Sequence, residues 1–159
     1  MKIRTAILTV SDMCAQGKRT DTSGQTIEEM LPKEKFEVCE KTIVPDDYET
    51  ITKTLTRFSD ELKVEIVLTT GGTGLGPRDV TPEATTAVCD RPVPGLSEIL
   101  RCESYKKTPN AVLSRGVSVM RDNTLIINLP GSPKAVRECM EIILQVLPHA
   151  VDMIHGGGH

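Results

Sequence analysis

The segment from Thr69 to Glu83 constrains the fold more than any other part of this sequence of 159 residues. The run at 64–68 is short, apolar and β-branched, which is typical of a buried strand. Thr81-Pro82-Glu83 has the order of a helix start, with a hydroxyl at the N-cap, proline at N1 and an acid in the first turn. Between them, the eight residues 69–76 include four glycines and three threonines. The segment therefore predicts strand, glycine loop and helix, in which backbone N–H groups and the positive end of a helix can hold an anion.

Two acids are expected beside this loop. Asp79 lies within it, where its charge would repel a phosphate unless a divalent cation stands between them. Asp46 follows a second predicted strand, so it reaches the same edge of the sheet. Two carboxylates at one phosphate site suit Mg²⁺ and phosphoryl or nucleotidyl transfer, and the sequence predicts a phosphate-and-metal site. As alternatives, Asp46 could cap the helix that begins near Tyr48, Asp79 could cap the helix at Thr81, and Asp47 offers a second acid beside Asp46.

Strand and helix patterns alternate along the chain, which predicts right-handed βαβ units and an α/β domain with a mostly parallel sheet covered on both faces. We expect one domain over 1–155 and a disordered tail at 156–159. Ligands bind beyond the carboxyl ends of such strands. Strands are predicted at 5–10, 36–44, 64–68, 117–120 and 124–128; helices at 26–31, 48–62, 82–88, 96–104 and 134–154, the last interrupted at Pro148; and carboxyl-edge loops at 11–24, 45–47, 69–81 and 129–133.

Composition excludes several classes of function. The net charge of −3 and the 3% aromatic content disfavour a nucleic-acid or membrane-surface partner. Five cysteines, an odd number without a C-x-x-C pair, favour reduced thiols and a cytoplasmic protein. We see neither a signal peptide nor an apolar run of membrane-spanning length.

Several further motifs accompany the glycine loop in a fixed order. They are TGGTG at 70–74, PRDVTPEAT at 77–85, LTVSD at 8–12, DTSG at 21–24, VPD at 44–46, PGL at 94–96, LSR at 113–115 and INLPGSP at 127–133. From residue 7 to about 154 the chain thus resembles the molybdopterin-binding domains of the bacterial MogA and MoaB proteins and the G domains of the plant Cnx1 protein and of gephyrin.

The resemblance implies a three-layer αβα domain with a mixed, mainly parallel central sheet, and a homotrimer. It also implies molybdenum cofactor biosynthesis: Mg-ATP-dependent adenylylation of molybdopterin with release of pyrophosphate, and hand-over of the product to a separate molybdenum insertion protein. Asp46 and Asp79 would be catalytic and would bind Mg²⁺. The residues that would bind substrate are Thr70, Gly71, Gly72, Thr73, Gly74, Ser114, Pro130, Gly131 and Ser132.

Other interpretations remain open at this point. The MogA and MoaB groups share nearly all these motifs, so a non-catalytic molybdopterin carrier of the MoaB kind is the alternative to the enzyme. A trimeric scaffold of the gephyrin type is a third. Arg78 could pair with a phosphate or with a surface acid, and Ser11-Asp12 could form a turn or contact substrate.

Overall fold

Strands and helices alternate over residues 1–158, which the computed structural model describes. The elements are β1 (Ile3–Val10), α1 (Asp12–Ala15), α2 (Thr22–Met30), β2 (Phe36–Val44), α3 (Tyr48–Asp60), β3 (Ile66–Thr70), α4 (Thr81–Ala87), β4 (Arg91–Pro92), α5 (Pro94–Tyr105), a 3₁₀ helix (Pro109–Leu113), β5 (Ser118–Arg121), β6 (Thr124–Leu129), α6 (Pro133–Ile143) and α7 (Leu147–Ile154).

The strands form one sheet in the order β2-β1-β3-β6-β5-β4. β1, β2, β3 and β6 run parallel, whereas β5 is antiparallel to β6 and β4 is antiparallel to β5. The register pairs Thr70 of β3 with Thr9 on one side and with Leu129 on the other. The four parallel strands therefore end together, and their following loops meet at one edge of the sheet. The predicted mixed, mainly parallel sheet is confirmed.

Alternate residues of the central strands face opposite helix layers, as the two-residue period of a strand requires. Ile7, Leu68 and Ile127 belong to a core shared with α2, α5, α6 and α7. Leu8, Val67 and Ile126 belong to the other core, with α3 and α4. Helices thus cover both faces, and the predicted three-layer αβα fold is confirmed.

The stretch 11–24 was predicted as a loop, and that prediction was wrong in part. α1 forms one turn directly after β1, with the Ser11 hydroxyl accepting a hydrogen bond from the Cys14 N–H at 3.2 Å. α2 begins at Thr22, four residues earlier than predicted, with Asp21 as its N-cap. These residues are polar and carry no apolar period, so capping rather than amphipathicity sets both helix starts.

The last helix was predicted to break at Pro148, but the break lies at residues 144–146, between α6 and α7. Pro148 instead occupies the first turn of α7. Proline is favourable there because the first N–H groups of a helix have no intrahelical partner. The two-residue β4 and the 3₁₀ helix were not predicted, since neither is long enough to show a periodic pattern.

At the end of α7, the Gly156 and Gly157 N–H groups donate to the Met153 and Asp152 carbonyls at 3.0 and 2.8 Å. The predicted disordered tail also includes residue 159, which lies outside the described residues, so this stays a prediction. None of the helices described within 1–158 has the length and apolar character needed to span a membrane.

Candidate active site

A cavity of about 500 Å³ lies at the carboxyl edge of the sheet. The loops after β1, β2, β3 and β6 all reach it, together with the N-termini of α2 and α6. The N-terminus of a helix carries partial positive charge and free N–H groups, both of which favour an anion. Of the predicted site residues, those that line it are Asp46, Thr70, Gly71, Gly72, Asp79, Gly131 and Ser132.

Two glycines of the loop after β3 require the absence of a side chain. Gly71 and Gly72 have φ values of +97° and +68°, in the left-handed region. A Cβ on Gly71 would lie 2.2 Å from the Val10 carbonyl oxygen, and one on Gly72 would lie 2.3 Å from Thr81 Oγ1. The same Cβ on Gly72 would be 3.2 Å from Asp46 Oδ1. Both glycines therefore bring backbone next to the cavity, and a side chain at Gly72 would fill the space beside Asp46.

The structure separates the roles of the neighbouring acids Asp46 and Asp47. Asp47 is the N-cap of α3 and accepts a hydrogen bond from the Thr50 N–H at 2.9 Å. Hydrogen bonds from the Thr50 hydroxyl and N–H lower the pKa of Asp47 below its ordinary value. Asp46 lines the cavity. The alternative in which Asp46 caps this helix is therefore wrong, and Asp46 is the acid that faces the site.

Asp46 is fixed by a reciprocal pair of hydrogen bonds with Asp12. The Asp46 N–H donates to Asp12 Oδ1, and the Asp12 N–H donates to Asp46 Oδ2, both at 2.9 Å. Burial raises the pKa of Asp46, and the negative charges of Asp12 and Asp79 act in the same direction. The carboxylate is thus held by main-chain geometry in an environment that disfavours its charge.

Arg78 pairs with an acid of the protein, which is one of the two partners, a phosphate or a surface acid, that the sequence suggested. Its Nε and Nη2 donate to Asp12 Oδ2 and Oδ1, each at 2.9 Å, in a bidentate pair. These bonds lower the pKa of Asp12. Asp12 therefore organises the turn after β1, and the glycine loop is joined through it to Asp46.

Asp79 is held within its own loop. Its Oδ2 accepts a hydrogen bond from the Gly76 N–H at 2.9 Å, and its N–H donates to the Gly76 carbonyl at 3.1 Å. The N-cap of α4 is Val80, which makes no side-chain cap bond. The alternative in which Asp79 caps this helix is therefore wrong, and its carboxylate lines the cavity.

The donor set fits a Mg²⁺ ion. Asp46 and Asp79 each use Oδ2 to accept a backbone N–H, and within residues 1–158 no hydrogen bond reaches either Oδ1. The same residues contain no cluster of three or more potential metal-ligating side chains. Mg²⁺ is usually bound by one or two carboxylates, with substrate phosphates and water completing its shell. Two acids in a cavity suited to an anion match that pattern.

The structure does not bring every predicted residue into this cavity. Ser114 and Pro130 line a second, mostly apolar cavity of about 120 Å³, between α5, the 3₁₀ helix and α6. Thr73 and Gly74 line neither cavity. Pro130 joins the two regions, because its carbonyl accepts the Thr70 hydroxyl at 2.7 Å while the next residue lines the larger cavity.

The sequence placed the 11–24 stretch at this edge and offered substrate contact only for Ser11-Asp12, of which Ser11 lines the cavity. The Thr9 hydroxyl donates to Asp21 Oδ2 at 2.7 Å, and the Ser23 hydroxyl donates to the Gly131 carbonyl at 2.6 Å. Arg19 and Cys14 also line the cavity, and Arg19 is the basic side chain in its wall. The available signal was the DTSG motif at 21–24, in which Asp21 is an N-cap.

Fold and site together define a class: an α/β protein with an acidic pair and a glycine loop at the carboxyl edge of its sheet. The chain matches the family model described as "Probable molybdopterin binding domain" over residues 6–149. It is 42% identical over 156 residues to a molybdopterin adenylyltransferase of Helicobacter pylori, covering 97% of this chain and 89% of the relative. It is 40% identical over 157 residues to the molybdopterin adenylyltransferase of Escherichia coli, covering 97% and 79%.

A solved structure leads to the same family. The molybdopterin biosynthesis enzyme MoaB of Thermus thermophilus is 50% identical to this chain, with a TM-score of 0.91 and 97% of each chain covered. The chain therefore belongs to the molybdopterin-binding domain family, and the family predicted from the motifs is confirmed.

Proposed function

We propose that this protein is a molybdopterin adenylyltransferase of molybdenum cofactor biosynthesis, which transfers AMP from Mg-ATP to molybdopterin. The observation that carries the proposal is the placement of Asp46 and Asp79 in one cavity with the glycine loop. Binding an anionic ligand gains nothing from two carboxylates, whereas nucleotidyl transfer uses them to hold a metal. The names of the relatives from Helicobacter pylori and Escherichia coli support the same reaction.

In this reaction the terminal phosphate of molybdopterin attacks the α-phosphorus of ATP. A new P–O bond forms there as the bond from the α-phosphorus to the bridging oxygen breaks, and pyrophosphate leaves. A phosphate is already anionic at neutral pH, so the chain need not supply a strong general base. Asp46 and Asp79 would hold a Mg²⁺ ion, which when bound offsets negative charge on the phosphates.

The remaining predicted residues supply binding. Thr70, Gly71 and Gly72 would place backbone against the phosphates, and the turn at Pro130, Gly131 and Ser132 would form the adjoining wall. Ser114, in the second cavity, would contact the substrate beyond Pro130. Thr73 and Gly74, which line neither cavity, would contribute to binding by setting the backbone conformation of the glycine loop.

The assignment extends to the setting of the reaction. We propose a homotrimer, hand-over of the product to a separate molybdenum insertion protein, and a cytoplasmic location. All five cysteines are free, which agrees with a reducing compartment.

The test is AMP transfer by the purified protein given molybdopterin, ATP and Mg²⁺. Wild type should form adenylylated molybdopterin and pyrophosphate, and Asp46→Ala and Asp79→Ala should lose most of this activity while still binding molybdopterin. Asp47→Asn is the matched control, because Asp47 caps α3 outside the cavity, and it should stay active. Tight molybdopterin binding by wild type without any adenylylated product would overturn the enzyme and favour the carrier.

A further inference from the structure

Arg115 makes a set of contacts that have no part in the proposed chemistry. It lies two residues after the 3₁₀ helix, and its own N–H donates to the Thr73 carbonyl at 2.9 Å. Its side chain donates from Nε to the Gly74 carbonyl at 2.8 Å and from Nη2 to the Asp79 carbonyl at 2.7 Å. One residue therefore holds both ends of the loop 74–79.

A fourth contact pairs the guanidinium group with an acid. Its Nη1 donates to both carboxylate oxygens of Glu83, in the first turn of α4, at 2.7 and 3.0 Å. The Arg115 side chain is 35% exposed, against 65% for Arg78. Within residues 1–158, Arg115 and the Arg78–Asp12 pair supply the hydrogen bonds that tie loop 74–79 to other segments. Of these two sets of contacts, those of Arg115 are better shielded from solvent.

The loop needs such support because little else fixes it. Residues 75–78 are exposed, and the Leu75 side chain packs into neither core. Gly74 and Gly76 add conformational freedom at the positions that surround the Asp79 carboxylate, where an added Cβ would lie 2.9 and 2.8 Å from Oδ2. Without an external anchor, the direction of that carboxylate would vary with the loop.

We propose that Arg115 is a positioning residue for Asp79: by binding the Gly74 and Asp79 carbonyls with one planar group, it holds the Asp79 carboxylate toward the cavity. Arg115 does not line the cavity, so it acts through the loop and not on the substrate. The inference rests on the proposed function, since it gives Asp79 its role. A guanidinium group can bind two carbonyls and a carboxylate at fixed angles, whereas a lysine ammonium is a single point charge.

The experiment compares Arg115→Lys with Glu83→Gln. Arg115→Lys keeps the positive charge but loses the planar guanidinium group that binds both carbonyls. Glu83→Gln breaks the ion pair with Arg115 and keeps the contacts of Arg115 with the Gly74 and Asp79 carbonyls. Hydrogen exchange of peptides covering residues 73–80 should be faster by about tenfold or more in Arg115→Lys and nearly unchanged in Glu83→Gln. This measurement needs neither metal nor substrate.

Kinetics then separate positioning from a merely structural role. For Arg115→Lys we expect kcat to fall by about tenfold or more and the half-saturating Mg²⁺ concentration to rise several-fold, with molybdopterin binding unchanged. Glu83→Gln should stay within about twofold of wild type in each quantity. Loop exchange as slow in Arg115→Lys as in wild type would overturn the proposal. So would faster exchange with unchanged kcat and Mg²⁺ dependence.

The two proposals fail in different ways. If wild type forms no adenylylated product, the proposed function falls, and the Mg²⁺ dependence is then measured as direct Mg²⁺ binding by wild type and Arg115→Lys. Weaker Mg²⁺ binding together with faster loop exchange in the variant supports the role of Arg115. Equal Mg²⁺ binding by the two proteins overturns it.

Discussion

Asp46 and Asp47 are the same residue type at adjacent positions, yet their surroundings give them opposite properties. The carboxylate of Asp47 is satisfied by the N-terminus of α3, and its pKa falls. The carboxylate of Asp46 is partly desolvated beside other acids, and its pKa rises. The surroundings of Asp46 disfavour its ionised form, yet reciprocal hydrogen bonds with Asp12 keep the carboxylate in place. Such a strongly positioned acid with a shifted pKa is typical of a functional site.

The first prediction is that Asp46→Asn raises thermal stability while it abolishes AMP transfer. Because folding raises the pKa of Asp46, the folded protein binds a proton more tightly than the unfolded chain does. The ionised Asp46 carboxylate therefore destabilises the folded protein at pH values above its pKa in the folded state. This destabilisation disappears as the pH falls below the pKa that Asp46 has in the unfolded chain. At pH 7 to 8 we expect Tm to rise by about 1–3 °C by calorimetry, with a smaller rise near pH 4.

Asp47→Asn is the control for this experiment, since the pKa of Asp47 is shifted in the opposite direction. Its charge contributes stability above the unfolded pKa, and the contribution is lost as the pH falls through the folded value. Tm should therefore not rise in Asp47→Asn. A lower Tm for Asp46→Asn at neutral pH would contradict the interpretation of Asp46 as a costly charge.

The second prediction concerns Asp12, which supports Asp46 from outside the cavity wall. Asp12→Ala removes the acceptor of the Asp46 N–H and the partner of Arg78. Because the Arg78 side chain is 65% exposed, solvent screens the ion pair, which should contribute little to stability. We expect kcat for AMP transfer to fall by about tenfold with only a small loss of Tm.

Asp12→Asn separates the two contacts of Asp12. It keeps an oxygen that can accept the Asp46 N–H and weakens the pair with Arg78, so its kcat should lie between those of wild type and Asp12→Ala. Equal activity of Asp12→Ala and wild type would show that Asp46 needs no such support.

At the scale of elements, the start of the glycine loop is packed closely between β1 and β6, because Gly71 faces the Val10 carbonyl and donates to the Leu129 carbonyl. The third prediction is that Gly71→Ala destabilises the protein by about 2 kcal/mol or more, because its φ of +97° and the Val10 carbonyl at 2.2 Å both oppose a Cβ. Urea denaturation monitored by circular dichroism measures the loss.

Gly95→Ala is the matched control for that loop substitution. Gly95 lies in the first turn of α5, and a Cβ there meets nothing within 4 Å. This variant should be more stable by about 0.5–1 kcal/mol, since alanine loses less backbone entropy on folding. Equal losses in both variants would mean that the local geometry of Gly71 is not the cause.

Sequence predicted the elements that have a period or a strong boundary signal. The buried strands β1, β3 and β6 and the amphipathic α3 were found because apolar spacing reports burial directly. α1 and the start of α2 were missed because their caps, Ser11 and Asp21, precede polar residues. A hydrogen-bonded cap defines a helix start as firmly as an apolar stripe does, but it leaves a much weaker pattern.

The site was predictable only as far as the ends of the strands fix it. Asp46 and Asp79 follow parallel strands that end together, so topology alone brings them to one edge. The roles of Asp12 and Arg115 depend on contacts across 66 and 36 positions of the chain. Likewise, nothing in the local sequence shows that Ser114 lines a separate cavity, since that depends on how the 3₁₀ helix packs against α5.

At the scale of the whole molecule, one end of the sheet carries an apolar groove. It lies among β4, β5, α5 and α7 and includes Met120, Val146 and Met153. Val146 and Met153 are 45% and 50% exposed, which is costly for large apolar side chains at a concave surface. A second copy of the chain would cover this groove in the homotrimer that we propose.

The fourth prediction follows from that groove. Light scattering should give about three times the 17.4 kDa of the chain. Met153→Glu should shift the mass toward the monomer, because a charge would be buried in the contact. As a control, Glu141→Lys changes the charge of an exposed position in α6 outside the groove and should remain trimeric. A monomeric wild type would rule out the trimer, and a trimeric Met153→Glu would place its interface elsewhere.

The last prediction joins the site to global stability. The cavity draws residues from the loops after four strands, so a ligand bound there must be released before the sheet can unfold. At about 100 times its dissociation constant, Mg-ATP should add about 2.7 kcal/mol to the free energy of unfolding, which corresponds to a Tm increase of several degrees.

The Tm increase should shrink when Mg²⁺ is removed with a chelator, because the nucleotide phosphates then lie next to the carboxylates with no cation between them. It should also shrink when Asp79 is replaced by Asn, because the variant has lost one of the two carboxylates that would hold the cation. Asp47→Asn should keep the full increase, since Asp47 lies outside the cavity. Equal nucleotide stabilisation with and without Mg²⁺ would mean that Asp46 and Asp79 do not hold the metal.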